Sequence, residues 1–287
     1  MTTGTDAPPG SDRRVGAAAA PCIGEVEVHA VYGNDADATP PYRQNSQVRV
    51  GGQVRITLTN SAKGFSRTIT TTNGKALFRE VPCGTVTAQA SFTGDSKVLA
   101  AARSVIGYRN WAYAAKTTSF DKTITQPAGT NKCNMFIYDM IQAAYGSAPT
   151  YSYYRGGIEF WPFKNTVPAL AKSWAIEDNS AADPTPGWTN VAYRNKGHAV
   201  PPGSILGIRI PYADASGHVA VISAPLDASA SARLTGSSRI ILDVVMPGRT
   251  ISATSDSVVE NDWGFRTRTT PELNSLNSPS AGIEVRK

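Results

Sequence analysis

The stretch "NKCNMFIYDMIQAAYG", residues 131–146, decides how the second half of the chain is read. Met135, Phe136, Met140, Ile141 and Ala144 mark one helical face, Gly146 offers a C-terminal stop, and Cys133 falls in the first turn. Upstream the pattern is different. From 23 to 107 the runs are short and alternating: "GEVEVHAVY", "SQVRV", "QVRITLTN", "SRTITTT", "KALFREV", "TVTAQASF" and "KVLAAARSV". Period-two segments rich in Val, Ile and Thr, separated by Gly, Asn and Pro, predict antiparallel strands with one buried face, and hence an all-β sandwich. The Asn73-Gly74 pair predicts a tight hairpin turn that needs positive φ.

Downstream of the helix, residues 147–202 are irregular and rich in Tyr and Trp, with "TVPALAKSWAIEDN" expected as a second helix. "SILGIRI", "GHVAVIS", "SRIILDVV", "RTISATS" and "SVVENDWGF" then read as strands. One helix followed by a sheet is an α+β order. The expected organisation is a flexible N-terminus over 1–22, the sandwich over 23–107, a linker over 108–120, the α+β domain over 121–268 and a loose polar tail over 269–287.

With 287 residues there is room for two cores, and 41% hydrophobic and 17% charged residues describe a globular chain. The net charge of +6 and pI near 9.2 suit polyanionic surroundings: nucleic acid, anionic lipid or a bacterial wall. Scattered basic residues and the lack of zinc-knuckle spacing speak against nucleic acid. No run of ~18 apolar residues occurs, so no membrane insertion is expected. In "MTTGTDAPPGSDRRVGAAAAPCIG" prolines and acids precede the Arg pair, and no long apolar core follows; this does not read as a Sec signal.

Three cysteines permit one disulfide at most. Cys22 and Cys83 both stand beside first-half strands and would pair only if their Cα atoms lie within ~4.4 to 6.8 Å. His29 reads as a surface or edge residue. The histidines are isolated and neither "HExxH" nor paired "CxxC" occurs, so no metal or cofactor is expected.

Chemistry concentrates on Cys133. A helix N-terminus carries roughly half a positive charge, which favours the thiolate over the thiol. Lys132 next to it would add to the effect. His218 opens the apolar strand "HVAVI", whose backbone is anchored while the ring stays available as a general base. Asp139 lies about 240° round the helix from Cys133, so capping or packing is its expected role.

Residues 129–264 resemble the papain-like NlpC-type and CHAP-type cell-wall amidases and endopeptidases, through "CNMF" at 133–136, "PPGS" at 201–204 and "GHVAVI" at 217–222. The resemblance implies a papain-like α+β domain in which Cys133 is the nucleophile, His218 its base, and amide hydrolysis runs through an acyl-enzyme. Its third, imidazole-orienting position best matches Ser252 in register; Asp243, Asn261 and Asp262 are better acceptors in less certain register, and Ser252 and Asn261 rank ahead of the others. The first half, through "ITLTNSAKGFSRTITTTNGKALFREVPCGTVTAQASF", resembles the carboxypeptidase regulatory-like or transthyretin-like sandwich, which implies a docking or spacing module.

Together these imply an antibacterial peptidoglycan hydrolase, similar to type VI secretion amidase effectors, that is exported without a Sec signal and acts in the periplasm or wall of a target bacterium. Peptidoglycan would be its substrate, and an immunity protein and a secretion-machine component docking on the sandwich its partners. Two other functions fit the same residues: a cysteine protease or acyltransferase on a protein or lipid, and a non-catalytic adhesin or structural module with an incidental Cys/His pair.

Overall fold

The computed structural model describes residues 21–33, 48–154, 164–175, 187–192, 198–209, 217–263, 265 and 281–286. Strands β1 (Ile23–Gly33), β2 (Arg49–Val50), β3 (Val54–Asn60), β4 (Phe65–Thr71), β5 (Lys75–Pro82) and β6 (Gly84–Phe92) come first. Helix α1 (Lys97–Ser104), the short pair β7 (Thr117–Thr118) and β8 (Thr125–Gln126), and helix α2 (Cys133–Tyr145) follow. Then come β9 (Thr150–Tyr154), β10 (Lys164–Pro168), α3 (Ala171–Trp174), β11 (Trp188–Ala192), β12 (Ala199–Val200), β13 (Ile205–Ile208) and β14 (His218–Ile222). The last strands are β15 (Ala228–Leu234), β16 (Arg239–Pro247), β17 (Thr250–Ala253), β18 (Val258–Asn261) and β19 (Ala281–Arg286).

Alternation in the first runs places Val26, Val28 and Ala30 of β1 in one core with Ile56 and Leu58 of β3 and Val86 and Ala88 of β6. Full burial of a side chain such as Leu58 contributes about 2 kcal/mol. One sheet runs β12-β2-β1-β16, with β5 also on β1; the other runs β15-β6-β3-β4. Two of these strands come from far along the chain: β16 lies parallel to β1 from Glu25↔Arg239 to Gly33↔Pro247, and β15 lies antiparallel to β6. Residues 228–247 therefore straddle both sheets and complete a sandwich that the sequence confined to 23–107. Asn73 and Gly74 do turn the chain, with Gly74 at φ 66°, but they carry it from β4 in one sheet to β5 in the other rather than closing a hairpin.

A six-stranded sheet, β11-β19-β13-β14-β17-β18, carries the remaining layers. Both of its faces are covered. Leu206, Ile208, Ala220 and Ile222 join the sandwich core, whereas Ile205, Val219, Val221 and Ile251 join a second core with α1 and α2. Double coverage explains why β13 and β17 are buried at every position.

The α+β papain-like expectation for the second half is corrected here. The described residues are mostly strands in several sheets, and the helices are few and short: 8 residues in α1, 13 in α2 and 4 in α3. The amphipathic run at 131–146 is one helix among many strands, and "ASASARL" has too little apolar contrast to register as a strand in the sequence. "KVLAAARSV", expected as a strand, is instead α1, because the Ser96 hydroxyl caps Leu99 N and Ala-rich sequence sustains a helix. "TVPALAKSWAIEDN" contributes strand at its start and only the short α3. In the expected loose tail, 281–286 form β19 between β11 and β13. The expected linker is docked, with Trp111 buried and Gly107 N and Tyr113 N donating to Val258 O and Ser255 O at 2.8 and 2.9 Å. No described helix is long and apolar enough to cross a membrane.

Candidate functional site

Cys133 opens α2, and its side chain is 6% exposed. Its Sγ lies 4.0 Å from the carbonyl oxygen of Gly217, the residue before His218. Burial pushes the thiol up to about 11, against the opposing pull of the Val219, Asn134 and Cys133 backbone N–H groups, which favour the thiolate. The resting group is therefore a thiol at neutral pH. The N–H of Val219 and the C=O of Gly217 both face the sulfur, so Cys133 sits on the backbone that flanks His218.

Gly217 lets the chain pass close to the end of β13 as it enters β14. Its φ is +141°, and a Cβ built there would stand 1.9 Å from Ile208 O. Only glycine fits that position.

His218 is paired with Ile208 in the sheet, and its ring meets Trp263 edge-to-face at 4.4 Å between centroids. Strand alternation assigns His218 to the face of Ala220 and Ile222, with the sandwich core, while Val219 and Val221 face α2. Sulfur and imidazole thus approach one strand end from different sides. Trp263 did not figure among the candidates; the Asn-Asp-Trp turn, in which Asn261 Oδ1 accepts from Trp263 N at 2.9 Å, was the available signal.

Ser252 is buried on β17, and the pairing of Val221 with Ile251 sets it beside Ala220, diagonal to His218 and on the same face. Asn261, at the end of β18, spends its Oδ1 on the Trp263 turn. Asp243 belongs to the sandwich, on β16, where its Oδ1 lies 3.4 Å from His29 Nδ1. Asp139 has the packing role expected of it: fully buried, it accepts from Trp111 Nε1 and Phe120 N, each at 2.8 Å.

Lys132 does not lend its charge to the thiol through solvent. It is buried, and its Nζ donates to the carbonyls of Ala112, Tyr113 and Thr130 at 3.2, 3.2 and 2.9 Å, tying residues 112–130 to the start of α2. Cys22 and Cys83 form a disulfide with Cα atoms 5.4 Å apart, and Cys133 is the free thiol. Comparison of the chain with protein-family models, curated proteins and solved structures gives no match.

Proposed function

We propose that the chain is a cysteine hydrolase that cleaves an amide bond in the peptide stem of bacterial peptidoglycan, with Cys133 as nucleophile and His218 as general base. The observation that carries this is the seating of the Cys133 sulfur at the start of α2 against the Gly217 carbonyl, at the head of the strand that His218 opens. The motif resemblance to NlpC-type and CHAP-type amidases in "CNMF", "PPGS" and "GHVAVI" supports the same chemistry.

Because the resting thiol is protonated and alternation sets the imidazole on the other face of β14, the proposed catalysis requires the two groups to meet round the head of that strand. There the thiol proton passes to the imidazole as the sulfur attacks the carbonyl carbon. The tetrahedral oxyanion collapses to a thioester, the amine leaves with the proton carried by His218, and water hydrolyses the thioester with the imidazole again taking a proton. Trp263 holds the ring plane and limits water access, and Ser252 stands on the face from which a hydroxyl can orient the ring. The sandwich serves as the docking module.

The +6 charge suits an anionic wall, and a Cys22–Cys83 bridge suits the oxidising periplasm or cell exterior. An antibacterial effector restrained by an immunity protein in its producer fits these features. Purified protein incubated with sacculi should release muropeptides with new amino termini, whose masses name the bond. Equal release by Cys133→Ala would rule the nucleophile out.

A further inference from the structure

Four large apolar side chains stand out of one stretch of chain: Ile106 is 41% exposed, Tyr108 54%, Tyr113 41% and Phe120 47%. Tyr108, Tyr113 and Phe120 lie in the stretch that reads as a linker, 108–120, yet its backbone is fixed. Val258 N donates to Tyr108 O and Tyr113 N to Ser255 O, both at 2.9 Å, so both tyrosines are mounted on the β17–β18 hairpin. Phe120 rests edge-on against buried Trp111, with centroids 5.6 Å apart. Rings held in place and turned to water mark a contact surface rather than a loose connection.

The charged residues among them are mostly basic. Arg103, Arg109, Lys116 and Lys122 are exposed, against Asp121 and, on the adjoining hairpin turn, Asp256. Asp121 already accepts from Ser119, Thr123 and Tyr138. The surface is therefore positive and aromatic. It also borders the nucleophile, because the Lys132 ammonium, one residue from Cys133, holds the carbonyls of Ala112 and Tyr113.

We propose that this surface, centred on Tyr108, Tyr113 and Phe120 with Arg109, Lys116 and Lys122, docks an anionic glycan-peptide polymer beside Cys133. The inference rests on the proposed wall-hydrolase function and names how that substrate is held. Aromatic faces take the apolar faces of sugar rings, and the cations pair with stem-peptide carboxylates. A polymer fits better than a bilayer, since rings and cations alternate along the chain instead of separating into an apolar and a charged face.

The test measures binding without turnover, using the full chain with Cys133→Ala and co-sedimentation with purified sacculi. Retention should fall about tenfold in Tyr108→Ser/Tyr113→Ser. It should also fall in Arg109→Glu/Lys116→Glu, whose residual binding should lose most of its salt dependence. Both pairs are exposed, so unchanged thermal unfolding midpoints are expected. Undiminished retention of both double variants overturns the proposal, as does patch-dependent binding to phosphatidylglycerol vesicles with sacculus retention unaffected. A parent chain that binds sacculi through the patch but never cleaves them supports the docking surface and removes the hydrolase; cleavage with patch-independent binding does the reverse.

Discussion

The sandwich and the helix-covered sheet treat buried polar groups in opposite ways. In the sandwich the nearly buried carboxylate of Glu27 is met by Lys75 Nζ at 2.5 Å, by His29 Nε2 at 2.7 Å and by the Arg239 guanidinium. Its two cysteines are joined in a disulfide. In the helix layer the fully buried Asp139 is met, among the described residues, by the neutral donors Trp111 and Phe120, and Cys133 stays reduced. Charge is neutralised in one region and displaced in the other: burial pushes Asp139 up to about 6 and Cys133 up to about 11. Burial also raises Tyr32 and lowers His29 in the sandwich, so the difference lies in how the two buried carboxylates are met: Glu27 by cations, Asp139 by neutral N–H groups.

The sharpest way to break that division is at the sulfur. Cys133→Ala should reduce muropeptide release on the order of a thousandfold or more, whereas a sandwich substitution such as Glu27→Gln should leave turnover per folded molecule unchanged. Alkylation of Cys133 by iodoacetamide should be slow near neutrality and still rising above pH 9, following the raised thiol. A plateau already at pH 7 would mean that His218 holds a preformed ion pair. Next in size comes Gly217→Ala, which forces a side chain onto Ile208 O at positive φ and should cost about 4 kcal/mol in urea unfolding. If that variant keeps parent stability, the close approach of Gly217 to Ile208 O at the head of β14 is wrong.

Some of this contrast was legible in the residues. Period-two alternation identified β1, β3 and β6, and the helical face of 133–145 together with Gly146 bounded α2, whose C-cap glycine adopts φ 75°. Strands β13, β14, β17 and β18 were visible as apolar runs, but their double coverage was not, because periodicity cannot tell what packs on each face. The return of 228–247 into the sandwich was equally hidden: β16 reads like any other strand, and its parallel partner β1 lies more than two hundred residues away. At the candidate site, Cys133 and His218 stood out by residue type and local context. Trp263, the inward turn of Lys132 and the opposed sides from which sulfur and imidazole approach depend on tertiary packing alone.

On the scaffold side, Cys22→Ser/Cys83→Ser should destabilise by about 3 kcal/mol, since the bridge closes a loop of sequence separation 61 and ties β1 to the β5–β6 connection. The turn between β15 and β16 also rests there, with Gly236 N donating to Cys22 Sγ at 3.2 Å and the Cys83 sulfur 3.4 Å from Gly236 O. The loss should appear as weakened hydrogen-exchange protection in β1, β6 and β15 before it reaches α2. Equal loss of protection in α2 would show that the two regions unfold as one unit.

The smallest effect tests the helix layer by pH. The folded pKa of Asp139 lies above the usual carboxylate value, so the stability that this shift contributes is complete below about pH 4 and is lost as pH rises through about 6. Asp139→Asn cannot ionise. Its Oδ1 can still accept from Phe120 N, while its Nδ2 would face the Trp111 N–H, donor against donor. The variant should therefore be less stable than the parent at pH 4, and the gap should narrow by about 2 kcal/mol by pH 8, where the parent carries a buried, ionised carboxylate with no cation against it among the described residues. Urea denaturation at pH 4, 5, 6 and 8 measures this. A gap that stays constant would place Asp139 in surroundings as well neutralised as those of Glu27 and erase the difference between the two regions.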